Sequence, residues 1–173
     1  TAAELAGVLS MALDRGMLLY KMGRYDEARR DLGLHLQGFP RDAAALEYRA
    51  RAAREAGDGA AALADFEALF VVEKNPNPGH YLAAAQILEG LKGGGSARAL
   101  EMLDAGMRKI GPVPQLQGRA IALEVQSQRY QAAIVRLRTL ENGSGGGSDW
   151  NIEMAELLVL AGQEAEARRH LAE

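Results

Sequence analysis

The sequence predicts an all-α solenoid, a row of about five antiparallel helix pairs forming a single domain. Three observations predict it. Ala28 recurs as Ala62, Ala99, Ala133 and Ala167, at steps of 34, 37, 34 and 34 residues. A glycine stands five residues before four of these alanines, as Gly23, Gly57, Gly94 and Gly162, and Gln128 takes its place before Ala133. Helical apolar spacing flanks each turn, and a fixed period of this length with a turn between two helical patterns marks a repeat array.

The chemistry of the unit is clearest in Gly23-Arg24-Tyr25-Asp26-Glu27-Ala28. Glycine takes the left-handed conformation that ends one helix, and the two acids suit the positive end of the next. The alanine then falls where two helices cross, and a larger side chain there would push the backbones apart. The first helix spans about Ala2 to Met22, with Leu5, Val8, Leu9, Ala12, Leu13, Gly16, Leu19 and Tyr20 at helical spacing. It exceeds one unit's need, so Thr1 to Leu9 are expected to cover the open end of the stack. Its partner spans about Tyr25 to Gln37, supported by an Asp26–Arg30 pair one turn apart, and Gly38-Phe39-Pro40 ends it.

Asp42 is placed to cap the next helix, about Ala43 to Ala56, whose partner spans Ala60 to Glu73. In Asn75-Pro76-Asn77-Pro78, Asn77 can cap and Pro78 can occupy the first helical position. The turn Lys92-Gly93-Gly94-Gly95-Ser96 absorbs most of the irregular step, with Ser96 as the cap of the helix that follows. Gly111-Pro112-Val113-Pro114 separates the third and fourth units stiffly, since each proline fixes one backbone angle. Segment 143–148, Gly-Ser-Gly-Gly-Gly-Ser, has the composition of a flexible laboratory linker that replaces a native loop or joins pieces not contiguous before. The alternative is a natural mobile loop. Residues 150–173 keep the phase through Ala155, Ala167 and Leu171, so the units are about 9–42, 43–77, 78–113, 114–147 and 148–173.

These positions resemble the tetratricopeptide repeat family. That family has a small residue mid-way in the first helix, alanine near the start of the second, an apolar residue four later and a closing proline. Here they are Gly16, Ala28, Leu32 and Pro40, then Ala50, Ala62 and Phe66, then Ala85, Ala99 and Leu103, then Ala120 or Ile121, Ala133 and Leu137, then Ala155, Ala167 and Leu171. The resemblance implies a right-handed superhelix with a concave groove lined by the first helices, and a peptide or another protein's helix as the ligand in that groove.

Composition narrows the alternatives. Hydrophobic residues make up 48% of the 173 but aromatic ones only 5%, which suits thin alanine-packed helix pairs. Twenty basic residues against 23 acidic ones leave a net charge of −3, evenly spread, so there is no electrostatic footprint for nucleic acid or anionic lipid. The absence of cysteine excludes a disulfide framework and thiol chemistry and suits cytosol and bacterial periplasm alike. No run approaches the ~20 apolar residues of a membrane span. The chain opens inside one helical pattern and stops inside another, as an excised fragment would.

Catalysis finds little support. The glycine-rich turn at Lys92 follows a helix with lysine before the glycines, the reverse of a phosphate loop. His35, His80 and His170 lie in separate units, and no serine has a nucleophile's context. The chain is therefore expected to be no enzyme and to need no cofactor or metal.

Counting from the alanine phase, the groove strip is Leu13, Met17, Tyr20 and Lys21 in the first unit, Glu47, Arg51, Arg54 and Glu55 in the second, and Leu82, Gln86 and Glu89 in the third. A fourth set is Gln115, Gly118, Ala122 and Val125. Each has a structural alternative: Leu13 and Met17 buried between helices, Arg51 and Glu55 a solvated pair. Arg51 and Arg54 beside Tyr20 and Met17 would grip a carboxylate next to a bulky side chain. Glu47 and Glu55 would compete by neutralising both arginines. Arg136 and Arg138 are expected to face outward from a second helix. The lysines and asparagines with which some members of the family clamp a chaperone's acidic C-terminus have no counterpart at Leu13 and Met17. Two functions remain: a module holding a protein or peptide partner in its groove, or a structural module that forms a homo-oligomer through its repeat edges.

Overall fold

Four helix pairs turn at single residues with left-handed backbones. In the computed structural model, which describes residues 2–91, 95–144 and 148–172, Gly23, Gly57 and Gly162 have φ of 75°, 81° and 75°. The next residue's amide then bonds back five positions, Arg24 to Leu19, Asp58 to Ala53 and Gln163 to Leu158, at 2.9, 2.9 and 2.8 Å. This closure satisfies carbonyls that a helix end leaves open. Gln128 adopts the same conformation at φ 57°, and Arg129 donates to the Glu124 carbonyl at 2.7 Å. The position where the glycine pattern lapses thus keeps the glycine geometry.

Ten helices and no strand are present among the described residues. Packing divides the chain into two compact units, Thr1–His80 and Tyr81–Glu173. The first holds α1 (Ala2–Lys21), α2 (Tyr25–Gly38), α3 (Ala43–Glu55), α4 (Gly59–Val72) and the first turn of α5 (Pro78–Glu89). The second holds the rest of α5, α6 (Gly95–Ile110), α7 (Pro114–Gln126), α8 (Tyr130–Ser144), α9 (Ser148–Leu160) and α10 (Glu164–His170).

In the first unit Ala28, Ala50 and Ala62 are wholly buried together with Leu32 and Phe66. A Cβ on Gly16 would lie 2.7 Å from Leu32 Cγ, so α1 and α2 cross where only glycine fits. Leu9 is buried against Gly38 at the far end of α2, so this part of α1 lengthens the pairing with α2; Thr1 lies outside the described residues. His35 joins three helices: Nδ1 lies 2.8 Å from the Leu9 carbonyl and Nε2 3.1 Å from Asp42 Oδ2. Two forked ion pairs buckle the hairpins one period apart. Arg15 Nη2 donates to Asp31 Oδ1 at 2.6 Å, and Arg49 donates to Asp65 through Nε and Nη2 at 2.8 and 2.6 Å.

In the second unit Ala85, Ala99, Ala120 and Ala133 are wholly buried, and Leu137, Met154, Leu158 and Ala167 extend the core through α8, α9 and α10. A Cβ on Gly106 would meet the Tyr81 ring at 2.8 Å.

Three local expectations need correction. Asp26 pairs with Arg29, at 3.6 Å, since residues three apart on a helix are neighbours as much as residues four apart, and Arg29 also reaches Asp58 at 2.5 Å. Ser96 lies inside α6, which starts at Gly95, where a Cβ would strike the Leu88 carbonyl; Lys92, Gly93 and Gly94 lie outside the described residues. Gly143 and Ser144 continue the last turn of α8 and Ser148 opens α9, since adding a residue to a formed helix is easier than starting one. Only residues 145–147 of the glycine-serine segment stand between them, and these lie outside the described residues.

The left-handed turn at Gln128 is open to a direct test. Replacing Gln128 by glycine is expected to raise stability by up to about 1 kcal/mol, because a left-handed backbone costs a non-glycine residue roughly 1–2 kcal/mol and the looser unfolded chain cancels part of the gain. Urea denaturation checks it, and an unchanged midpoint would refute the strain. A second test concerns Asp42, whose Oδ1 accepts the Ala45 amide at 2.9 Å. Burial alone would raise its pKa, but the Ala45 amide and the His35 hydrogen bond and charge together hold it below the ordinary 3.8. A carboxyl lowered by folding stabilises the fold above its unfolded pKa, and that contribution disappears as pH falls through the lower folded value. Asp42→Asn keeps the cap without the titration, so between pH 5 and pH 3 it should lose less stability than the parent chain. Parallel losses in denaturation at both pH values would remove Asp42 from the acid response.

Candidate functional site

The first-helix face of the first unit is assembled and already satisfied. Leu13, Met17 and Tyr20 are half-buried on α1 and Lys21 is exposed, while on α3 Glu47 and Arg51 are half-buried and Arg54 and Glu55 exposed. The Arg51 guanidinium lies 4.9 Å from the Tyr20 ring centroid and 5.5 Å from that of Tyr48, and the two rings meet edge to face at 5.4 Å. Glu47 accepts from Arg51 at 3.1 Å and stands 3.4 Å from His80 Nε2. Burial works against the charge on Arg51, but hydrogen bonds and attraction from Tyr20 and Glu47 outweigh it and hold its pKa above the ordinary value.

Arg54 donates to Glu55 at 2.8 Å. The expected Arg51–Glu55 pair is thus replaced by Arg51–Glu47, because helical side chains lean toward the N-terminus and the Tyr20 and Tyr48 rings draw the guanidinium that way. Both arginines find their counter-charges within α3. A carboxylate gripped by Arg51 and Arg54 would have to break pairs already made.

The corresponding face of the second unit is open. On α5, Leu82 is half-buried and Gln86 exposed, and Glu89 accepts two bonds from Arg119, that from Nε at 3.0 Å. This fork draws Arg119 toward α5. On α7, Gln115, Gly118 and Ala122 are exposed and Val125 half-buried, spaced three or four residues apart along one helical face. On α9, Glu153, Glu156 and Leu160 are exposed on a matching face. Between them runs a groove of about 420 Å³, walled by Gly118, Ile121, Ala122, Val125, Leu157 and Leu160 and rimmed by Gln126, Glu153 and Glu156. A Cβ on Gly118 would meet nothing within 4 Å, so that glycine leaves the groove deeper than any other residue would. Glu153 and Glu156 have no ion-pair or hydrogen-bond partner among the described residues.

No protein-family model and no curated protein matches the sequence. Solved structures do. A crystal structure of MamA superposes with a TM-score of 0.71 over 95% of this chain and 88% of that one, at 13% identity. The tetratricopeptide repeat protein of Parabacteroides merdae gives 0.61 at 17% identity, over 94% of this chain and 62% of that one. A thermophilic TPR protein of Thermus thermophilus gives 0.53 at 21% identity, over 95% and 88%. The fold is that of the tetratricopeptide repeat. At these identities the likeness carries the fold alone.

Within this tetratricopeptide fold, sequence reasoning found Gly118, Ala122 and Val125 but missed the α9 wall. The signal existed: a 34-residue step from Ala122 lands on Glu156, and the same step from Val125 lands on Val159, next to Leu160. The outward placement of Arg136 also needs correction. Its Nη1 lies 2.8 Å from Asp104 and its Nε 2.9 Å from Glu124, the latter a charge contact without hydrogen-bond alignment. Burial opposes the charge, but the Asp104 hydrogen bond and the attraction of both carboxylates reverse that effect, so the pKa of Arg136 stands above its ordinary value. It is drawn inward because Glu124 is only 1% exposed and requires a counter-charge.

Arg138 is 44% exposed at its side chain and pairs with Glu166 at 2.6 Å. Arg136→Ala is therefore expected to cost about 3–5 kcal/mol, the penalty of stranding a buried charge, and Arg138→Ala less than about 1 kcal/mol. Chemical denaturation of the two variants side by side is the check, and equal losses would refute the inward role of Arg136.

Proposed function

We propose that the chain is a protein–protein interaction module that holds a segment of another protein against the first helices of its repeats, and we assign it no catalytic step. The observation that carries this reading is the open groove between α7 and α9, whose apolar walls face water while the equivalent first-unit face is closed by its own ion pairs. The tetratricopeptide fold supports it, because stacked helix pairs expose an extended surface that needs no change of fold to accept a partner. No described helix is long and apolar enough to cross a membrane.

A second reading, association between copies, has its own support. Val8, Met11 and Leu18 are exposed along one side of α1 with Met22 just past its end, and Ile152, Val159 and Leu171 are exposed around an apolar hollow of about 560 Å³ at α9.

One experiment separates the two. A photo-crosslinking residue at Ala122 in the groove is compared, in cells, with the same residue at Val135, which is 56% exposed on α8. The partner reading expects an adduct with a different protein from position 122 and little from 135. Equal yields, or adducts from 135 alone, would refute the groove. An adduct of twice the chain mass, with light scattering that grows with concentration, would establish association between copies.

A further inference from the structure

The groove's own chemistry defines the kind of segment it accepts. Resting on the groove reading, we infer that the α7–α9 groove takes a peptide segment offering an apolar side chain flanked by lysine or arginine. Its walls are Ala122, Val125 and Leu160, with Leu160 51% exposed, an apolar surface that gains by being covered. Its volume of about 420 Å³ is that of a site for a few side chains.

Gly118 provides the depth. Glycine is a poor helix former, and no neighbouring atom excludes a Cβ here. Its smallness serves the open space above it.

The rim provides the charge. Glu153 and Glu156 lie three residues apart on one face of α9, and residues 148–160 contain no lysine or arginine to neutralise them. The cation nearest in sequence on α7, Arg119, is held by Glu89 in a two-bond fork. Two free carboxylates beside an apolar wall favour a cationic segment and repel an acidic one. The arrangement is the reverse of the first unit, where Tyr20 and Tyr48 already hold the cation Arg51.

Three short fluorescent peptides of equal length test this by anisotropy: leucine with arginine, leucine with glutamate, and serine with arginine. The leucine–arginine peptide should bind at least about tenfold more tightly than either other, a difference of about 1.4 kcal/mol. Gly118→Leu fills the groove and should remove that binding while circular dichroism stays helical. Glu153→Gln with Glu156→Gln should erase the preference over the leucine–glutamate peptide and lower the salt dependence. If Gly118→Leu weakens no peptide, the groove reading itself fails. If Gly118→Leu blocks binding but the leucine–glutamate peptide binds equally well, or the double glutamine variant keeps its preference, the groove stands and the charge inference is overturned. Tight binding of the serine–arginine peptide regardless of Gly118→Leu would reduce the effect to non-specific attraction and overturn it too.

Discussion

The close approach of paired helices at small residues is the constraint on which everything else rests. Ala28, Ala62, Ala99 and Ala133 are fully buried, and Gly16 and Gly106 occupy crossings where a methyl group would strike Leu32 or Tyr81. Helices this close leave little room for large side chains between them. The core is therefore mostly leucine and alanine, with Ile134 and Met154 among the few other wholly buried apolar side chains and Phe66 the bulkiest. Because interior packing needs so few residue types, the remaining positions are available for polar fastenings and for the open faces.

Within the first unit the fastenings inside the hairpins repeat with the same period. Arg15 and Asp31 recur 34 residues later as Arg49 and Asp65, each pair closing its own hairpin with two parallel bonds. Successive hairpins are tied by Arg29 to Asp58 in the first unit and by Arg119 to Glu89 and Arg138 to Glu166 in the second. Forked arginine–carboxylate pairs fix orientation more narrowly than apolar contact does. This geometry also explains why the first-unit face is closed: Arg51 and Arg54 belong to the same system of paired charge.

The fold was legible in the sequence because helix ends depend on local chemistry. Asp42 and Asn77 cap as expected, accepting from Ala45 and Gly79, and α5 and α7 begin at Pro78 and Pro114. Gln128 looks like a break in the pattern but is not one, since backbone geometry can persist when the residue best suited to it is absent. The candidate site was only partly legible. Gly118, Ala122 and Val125 follow from period alone, whereas the destinations of Arg51, Arg119 and Arg136 depend on which of several carboxylates a long side chain reaches. That choice is made by neighbours from other helices. The α9 wall keeps the 34-residue phase, but period alone does not show that α7 and α9 leave an open groove between them.

The ion pairs between helices have one more consequence. Arg15–Asp31 spans 16 positions, Arg29–Asp58 spans 29, Arg119–Glu89 spans 30 and Arg136–Asp104 spans 32. Each bond can form once about one repeat of chain has emerged, without waiting for a distant segment to return. Low contact order of this kind speeds folding and lets order spread from neighbour to neighbour. The same locality works in reverse: losing a hairpin from one edge removes its own bonds and leaves more distant hairpins with all of theirs, so damage to the chain shortens the folded array step by step.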